Sequence, residues 1–126
     1  MRSHEEDIEC ELFARYLGKM QNEGKVVKFA HINSEVYTRS WSQKRRIVAM
    51  GTPAGLPDYI IVARDQDEND TLIFIEMKKI KGGVLSKQQR EWGKALNEAG
   101  EYYFVCNGFK EAKSLVETII EGSFNG

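Results

Sequence analysis

Two charged residues interrupt the most apolar stretch of the sequence. Residues 71–79, TLIFIEMKK, have the composition of a buried central strand, yet they include Glu76 and Lys78. Side chains two positions apart on a strand share a face, so both charges project from the same side. An ionised side chain is costly to bury unless it is paired or binds a metal ion. The pattern therefore fits either a simple ion pair near the strand end or a chemical site.

Asp58 is expected beside this pair. It follows Pro57, which favours an extended backbone, and it opens a predicted strand over residues 58–64, DYIIVAR. The acidic turn DQDEND, residues 65–70, separates this strand from the one over 71–79, which predicts a hairpin. A hairpin places Asp58 and Glu76 on neighbouring strands near its open end.

Glu9 is a third carboxylate in an apolar context. On a helical wheel it lies within about 20° of Tyr16 and Met20, which belong to the apolar stripe of a predicted helix. One interpretation is that Glu9 lies at the edge of the stripe and reaches solvent. The other is that it joins the remaining carboxylates at a metal site, because several oxygen ligands with open water positions suit Mg²⁺ or Mn²⁺. Such a metal can acidify a water molecule and neutralise charge on a phosphodiester.

Gln89 allows two interpretations as well. Ser86-x-x-Gln89 has the spacing of a helix capping box. Gln89 also lies within about 20° of Leu96 on the same helix, so it can face the sheet and the acidic cluster.

The elements that position these residues alternate between helix and strand in the order α-β-β-β-α-β-α. Apolar spacing predicts helices over residues 4–22, from Ser86 to about Ala99, and over the segment Phe109 to Ile120. The second helix is expected to turn Trp92, Ala95, Leu96 and Ala99 inward. Strands are predicted over 25–32, 58–64, 71–79 and 101–106, and a long loop over 33–56. The fold class is α/β, a two-layer or three-layer sandwich in which a central sheet is flanked by helices.

Basic residues concentrate in two acid-free stretches, 36–57 and 77–90, although the formal net charge is only −1. Basic and aromatic side chains together suit a phosphate backbone with splayed bases. A solvated surface without a partner is the alternative. The candidate DNA-binding residues are Arg39, Trp41, Lys44, Arg45, Arg46, Lys79, Lys81 and Lys87.

The composition is that of a globular domain. The chain has 126 residues, 41% hydrophobic and 29% charged, which predicts one domain over residues 1–126 and excludes a disordered protein. No apolar run reaches the roughly 18 residues of a membrane span, and the acidic N-terminus is unlike a signal peptide. Cys10 and Cys106 are expected to be reduced core residues of a cytoplasmic protein. The sequence contains no glycine-rich phosphate loop and no nucleophile elbow.

Three motifs together resemble the VRR-NUC (virus-type replication-repair nuclease) domain of the PD-(D/E)xK nuclease superfamily. They are GLPDY at 55–59, IEMK at 75–78 and LSKQQ at 85–89 leading to Trp92. An Asp followed by E-x-K is common by chance, but the glycine-proline turn, the helix start and the element order make the resemblance specific. It covers nearly the whole chain, and a stand-alone member of the family is expected.

The resemblance implies a metal-dependent DNA endonuclease with a restriction-endonuclease-like core and a mixed sheet. In that family an acidic residue or glutamine on the first helix completes the metal site, and Glu9 matches that position. The implied ligands of Mg²⁺ or Mn²⁺ are Glu9, Asp58, Glu76 and the backbone carbonyl of Met77. Lys78 would position or activate the attacking water, and Gln89 would support the site.

Stand-alone members are similar in fold to Holliday-junction resolvases, so the expected substrate is structured DNA, above all the four-way junction. A homodimer is expected, because paired cuts in a symmetric junction suit two sites related by a twofold axis. The expected location is the cytoplasm, at the nucleoid of a bacterium or a phage-infected cell. A flap-directed nuclease and a non-catalytic nucleic-acid-binding module that keeps the fold are the alternatives.

Overall fold

The computed structural model describes residues 4–32, 42, 45–46, 50–51 and 54–122. Within them, helices and strands follow the predicted α-β-β-β-α-β-α order. The elements are α1 (His4–Asn22), β1 (Val26–His31), β2 (Tyr59–Arg64), β3 (Asp70–Lys78), α2 (Lys87–Glu98), β4 (Tyr102–Asn107) and α3 (Phe109–Ile120). Most of the predicted loop 33–56 lies outside the described residues, but Ser42, Arg45 and Arg46 are helical, so the loop prediction is wrong at these positions.

The strands form a mixed sheet in the order β1-β2-β3-β4. The β1–β2 and β2–β3 pairs are antiparallel, and β4 joins β3 in parallel after the crossover through α2. Strand β3 therefore has a neighbour on both sides, as its continuous apolar sequence predicts. The predicted hairpin is confirmed, with Tyr59 opposite Ile75 and Arg64 opposite Asp70.

One face of the sheet forms the hydrophobic core with α1 and α3. Alternate residues of β2 and β3 point into it, and Ile61, Ile73 and Ile75 are completely buried there. Each such side chain contributes about 1.5–3 kcal/mol relative to an exposed one. Cys10 and Cys106 belong to the same core and are free thiols, as predicted. Burial and the nearby Glu111 carboxylate raise the pKa of Cys106 to about 12, so this thiol stays protonated at neutral pH.

The opposite face carries Glu76 and Lys78 and is covered by α2. The two helices of the core and α2 thus lie on different sides of the sheet, which makes the described structure a three-layer α/β/α arrangement. Helix α2 contacts β4 where Gly93 meets the Tyr103 ring; a Cβ at Gly93 would lie 2.5 Å from that ring. The chain before β2 passes equally close to α2, since a Cβ at Gly55 would lie 2.6 Å from the Gln88 backbone. The two glycines therefore allow α2 to pack closely against β4 and against the chain before β2.

The predicted inward face of α2 is partly wrong. Trp92 and Leu96 are half-buried, but Ala95 and Ala99 are exposed, and Gly93 is the buried residue of the helix. The reason is that α2 rests on an edge strand, so only a narrow line along it is covered. Among the described residues, no helix has the length and apolar character needed to cross a membrane.

Candidate active site

Three charged side chains are buried together at one end of the sheet. Asp58 is 4% exposed, Glu76 2% and Lys78 8%, and they are the buried polar or charged side chains found among the described residues. Buried charges are rare unless they are paired or coordinate a ligand. Three of the charged residues that stand out in the sequence are thus enclosed by the fold, whereas the fourth, Glu9, is half-buried.

Asp58 is fixed to the backbone of the neighbouring strand. Its Oδ2 accepts a hydrogen bond from the Met77 N–H at 2.7 Å, and its carbonyl accepts one from Ile32 N–H on the other side at 2.7 Å. Extending the β2–β3 register by one position from Tyr59 and Ile75 places Asp58 opposite Glu76. The two carboxylates therefore lie on adjacent strands, as the hairpin predicts.

Glu76 and Lys78 form an ion pair on the same face of β3. Lys78 Nζ lies 3.6 Å from Glu76 Oε2, with both side chains almost fully buried. The loop after β3 packs on the lysine stem, because a Cβ at Gly83 would lie 2.8 Å from Lys78 Cβ. The ion pair predicted as one alternative is present near the end of β3, and it is buried beside Asp58. Burial makes such a pair weak evidence for stability and better evidence for function.

Gln89 satisfies both interpretations of its position. Its backbone N–H donates to Ser86 Oγ at 3.1 Å and its Oε1 accepts from the Ser86 N–H at 2.8 Å, which is a complete capping box. Its Nε2 donates to Glu76 Oε2 at 3.0 Å. Because the cap occupies the carbonyl oxygen, the amide nitrogen has to point at Glu76.

Glu9 sits at the start of α3. Its Oε1 accepts a hydrogen bond from the Phe109 N–H at 2.9 Å. Gly108, the N-cap residue, has no side chain that could make this bond, so a carboxylate from α1 caps α3 instead. The Gly108 N–H donates to the Lys78 carbonyl at 2.9 Å, which brings Glu9 close to the end of β3. Its role as a metal ligand stays a prediction.

The fold that carries these residues is similar to known proteins. The family model for the VRR-NUC domain matches residues 3–110. The chain belongs to the VRR-NUC domain family. A solved structure described as a VRR_NUC domain protein superimposes with a TM-score of 0.65 over 96% of this chain and 93% of that chain. The two sequences are 19% identical, so this likeness concerns the fold. No curated protein sequence matches the chain.

The VRR-NUC fold is a nuclease-type fold. The question for its buried carboxylates is whether they could bind a metal ion. Among the described residues, no group of three or more His, Cys, Asp or Glu side chains is close enough to hold a metal ion. Asp58 and Glu76 nevertheless fit Mg²⁺, which usually binds one or two carboxylates, keeps several waters and takes its remaining oxygens from substrate phosphates. Thus the donor set suits a divalent ion, with the Met77 carbonyl as a further predicted ligand.

Tyr103 is a member of this site that the sequence analysis did not identify. It lies on β4 opposite Phe74, so it shares a face with Glu76. Burial and the negative charges of Glu76 and Asp58 raise the pKa of its hydroxyl. The residue stands in an ordinary strand sequence, EYYFVC, and only the parallel β3–β4 register shows which tyrosine faces the carboxylates.

Several candidate DNA-binding residues of the VRR-NUC domain lie within the described residues. Lys81 and Lys87 are exposed and Lys79 is half-buried, all within the segment that runs from β3 into α2. Arg45 and Arg46 are exposed as well. The remaining candidate DNA-binding residues, Arg39, Trp41 and Lys44, lie outside the described residues.

Proposed function

We propose that this protein is a Mg²⁺- or Mn²⁺-dependent endonuclease that hydrolyses phosphodiesters in structured DNA, with the four-way junction as its substrate. The observation that carries the proposal is the burial of Asp58, Glu76 and Lys78 at one point of a VRR-NUC fold. Two carboxylates against one ammonium give the trio a formal charge of −1, which favours binding of a cation. A degenerate, purely structural copy of the fold would have little reason to bury all three charges.

The chain's own residues divide the chemical work. Asp58 and Glu76 would hold the ion, which when bound lowers the pKa of a water and neutralises charge on the phosphodiester. Lys78 presents a fixed positive charge beside them, suited to orienting the attacking water or to stabilising the extra negative charge of the transition state. Gln89 keeps Glu76 Oε2 in place through its 3.0 Å hydrogen bond. The enclosed position of the trio strengthens each of these electrostatic effects.

DNA would approach over the basic segment next to the site. Lys79 and Lys81 lie one and three residues after Lys78, and Lys87 begins α2. Lysines at these positions can contact phosphates on either side of the scissile bond without reading sequence. Contacts of this kind are consistent with an enzyme that recognises the shape of its DNA substrate rather than its sequence.

A homodimer in the cytoplasm completes the proposal. A four-way junction has twofold symmetry, and two copies related by a twofold axis can place one site on each of two opposed strands. Sedimentation equilibrium at micromolar concentration measures this directly, and a monomer throughout would contradict the dimer while leaving the chemistry of each site untouched.

The decisive experiment is a cleavage assay on four DNA substrates: linear duplex, single strand, 5′ flap and four-way junction. Each is incubated with Mg²⁺, Mn²⁺ or EDTA, and wild type is compared with Glu76→Ala. Glu98→Ala is the matched control, since Glu98 also pairs with a lysine, Lys94 at 3.9 Å, but is exposed on α2. We expect metal-dependent cutting of the junction by wild type and by the Glu98 variant, and none by the Glu76 variant.

The other outcomes separate the alternatives. Cutting of flaps alone would keep the chemistry and replace the proposed substrate. Salt-sensitive binding without cleavage under any metal would favour a binding module that retains the nuclease fold. Equal cutting by wild type and Glu76→Ala would show that the assigned site is wrong.

A further inference from the structure

The hydroxyl of Tyr103 is a buried polar group close to the site. It is inaccessible to solvent and has no hydrogen-bond partner among the described residues. Buried tyrosine hydroxyls normally have a partner, and exceptions are explained by an ordered water, a ligand or a functional role. The group therefore requires an explanation that packing alone does not give.

The surroundings of Tyr103 identify what the hydroxyl faces. The ring is held on one side by Gly93 of α2, where even a methyl group would lie 2.5 Å from it. On the sheet it is diagonal to Glu76, because Tyr103 pairs with Phe74 and Val105 pairs with Glu76. The charged groups that act on the hydroxyl are Glu76 first and Asp58 second. Burial, and after it the negative charge of these two carboxylates, raises the pKa of the Tyr103 phenol, so it remains a hydrogen-bond donor.

We propose that Tyr103 is a positioning residue of this site, and that its hydroxyl donates a hydrogen bond to the Glu76 carboxylate through one buried water. A buried water needs two to four polar partners, and the phenol and the carboxylate supply them. Glu76 is then held from two directions, by the Gln89 amide from α2 and by the phenol from β4. The inference rests on the proposed function only where it concerns catalysis; the contact between Tyr103 and Glu76 does not depend on it.

The test uses Tyr103→Phe, which removes the hydroxyl and keeps the ring. Tyr16→Phe is the matched control: the Tyr16 hydroxyl is likewise buried without a partner among the described residues, and burial likewise raises its pKa. Tyr16 lies in the core between α1 and α3, next to a cleft lined by Lys113 and Glu117 and away from Glu76. The two variants delete the same group from two different environments.

The first measurement is a double-mutant cycle on the unfolding equilibrium constant, with Glu76→Gln as the second change. We expect Tyr103→Phe and Glu76→Gln to be non-additive by about threefold or more, and Tyr16→Phe and Glu76→Gln to be additive. Additive effects in both pairs would overturn the proposal, and they would do so whether or not the protein cuts DNA.

The second measurement is functional. We expect Tyr103→Phe to weaken Mn²⁺ binding to the DNA-free protein and to lower kcat by about 10-fold, with KM for DNA unchanged, which is the size of effect typical of residues that orient metal ligands. Tyr16→Phe should leave both unchanged. Wild-type kcat and Mn²⁺ affinity in Tyr103→Phe would refute the positioning role. Absence of Mn²⁺ binding and cleavage in wild type would instead refute the proposed function, and the cycle alone would then decide the Tyr103–Glu76 contact.

Discussion

Gln89 connects the start of a helix to a buried carboxylate. Its oxygen is occupied by the Ser86 N–H and its nitrogen by Glu76, so the side chain has a single productive orientation. The sequence pattern predicted each of these contacts as an alternative to the other. They coexist because the amide has a donor and an acceptor at opposite ends, and a capping box uses only the acceptor.

We predict that Gln89→Glu lowers cleavage activity by about 10- to 100-fold, the range seen when groups that orient metal ligands are changed. The new carboxylate can still accept from the Ser86 N–H, so the helix cap survives, but it can no longer donate to Glu76 and places a second negative charge beside it. Gln88→Glu, at an exposed position one residue earlier, is the control. Steady-state kinetics with both variants, beside their urea unfolding curves, make the comparison. Equal loss of activity in both would show a general charge effect on DNA binding.

Burial at the site was predictable from the sequence to a limited extent. Glu76 and Lys78 stand out because they interrupt an apolar run, and both of these charged side chains are indeed buried, while their role in a site stays a prediction. Tyr103 does not stand out, because a tyrosine in a strand is ordinary and its face depends on a register set by tertiary pairing. The same limit applies to Glu9, whose partner Phe109 is 100 residues away in the chain.

The bounds of the elements were the most predictable feature. Each predicted strand agrees with the observed one to within one residue at either end, because apolar alternation and turn residues are local signals. The buried face of helix α2 could not be predicted from local sequence. The helix is amphipathic, but it packs on a single edge strand, which covers too little of it to bury Ala95 and Ala99. Which face of a helix is covered depends on the neighbouring layer rather than on the helix.

Glu9 joins α1 to α3, and this connection can be separated from any role in metal binding. We predict that Glu9→Ala lowers the free energy of unfolding by about 1 kcal/mol, the usual cost of losing a helix N-cap. Glu9→Gln retains an oxygen that accepts from the Phe109 N–H, so it should recover much of that loss. Urea unfolding of both variants tests this, with exposed Glu11→Ala of the same helix as the control.

The activity of the same variants then decides between a cap and a ligand. If Glu9 also binds the metal, Glu9→Gln is stable but cleaves poorly, since an amide oxygen is a weaker ligand for a hard divalent ion than a carboxylate. If it is a cap alone, Glu9→Gln cleaves like wild type. A Glu9→Ala variant as stable as wild type would show that the hydrogen bond to Phe109 contributes nothing.

At the scale of the molecule, one side of the sheet forms the hydrophobic core and the other carries the charged candidate site. The side packed by α1 and α3 contains the hydrophobic core and supplies stability. Among the described residues, the side covered by α2 encloses mainly the charged trio, and the segment leading into it carries the exposed Lys81 and Lys87. A chain with net charge −1 can therefore still present a positive surface to DNA, because two clusters of its acidic residues lie elsewhere, in the first turn of α1 and in the β2–β3 turn.

This separation predicts how DNA binding responds to salt. Arg45→Ala combined with Arg46→Ala should weaken junction binding and reduce the slope of log K against log salt by about 1.8, if both exposed side chains contact phosphates of duplex arms. Lys110→Ala combined with Lys113→Ala, which removes two exposed lysines from α3 on the core side, should leave the slope unchanged. Fluorescence anisotropy on a labelled junction in EDTA, from 50 to 200 mM salt, measures binding without cleavage.

An unchanged slope in the arginine variant would remove these residues from the interface, and an equal change in both variants would mean that DNA binding depends only on the total charge of the protein. If the arginine variant keeps both the wild-type salt slope and its cleavage activity, the phosphate contacts must come from other basic residues. The candidates are then Lys79, Lys81 and Lys87, which lie nearest the buried trio along the chain.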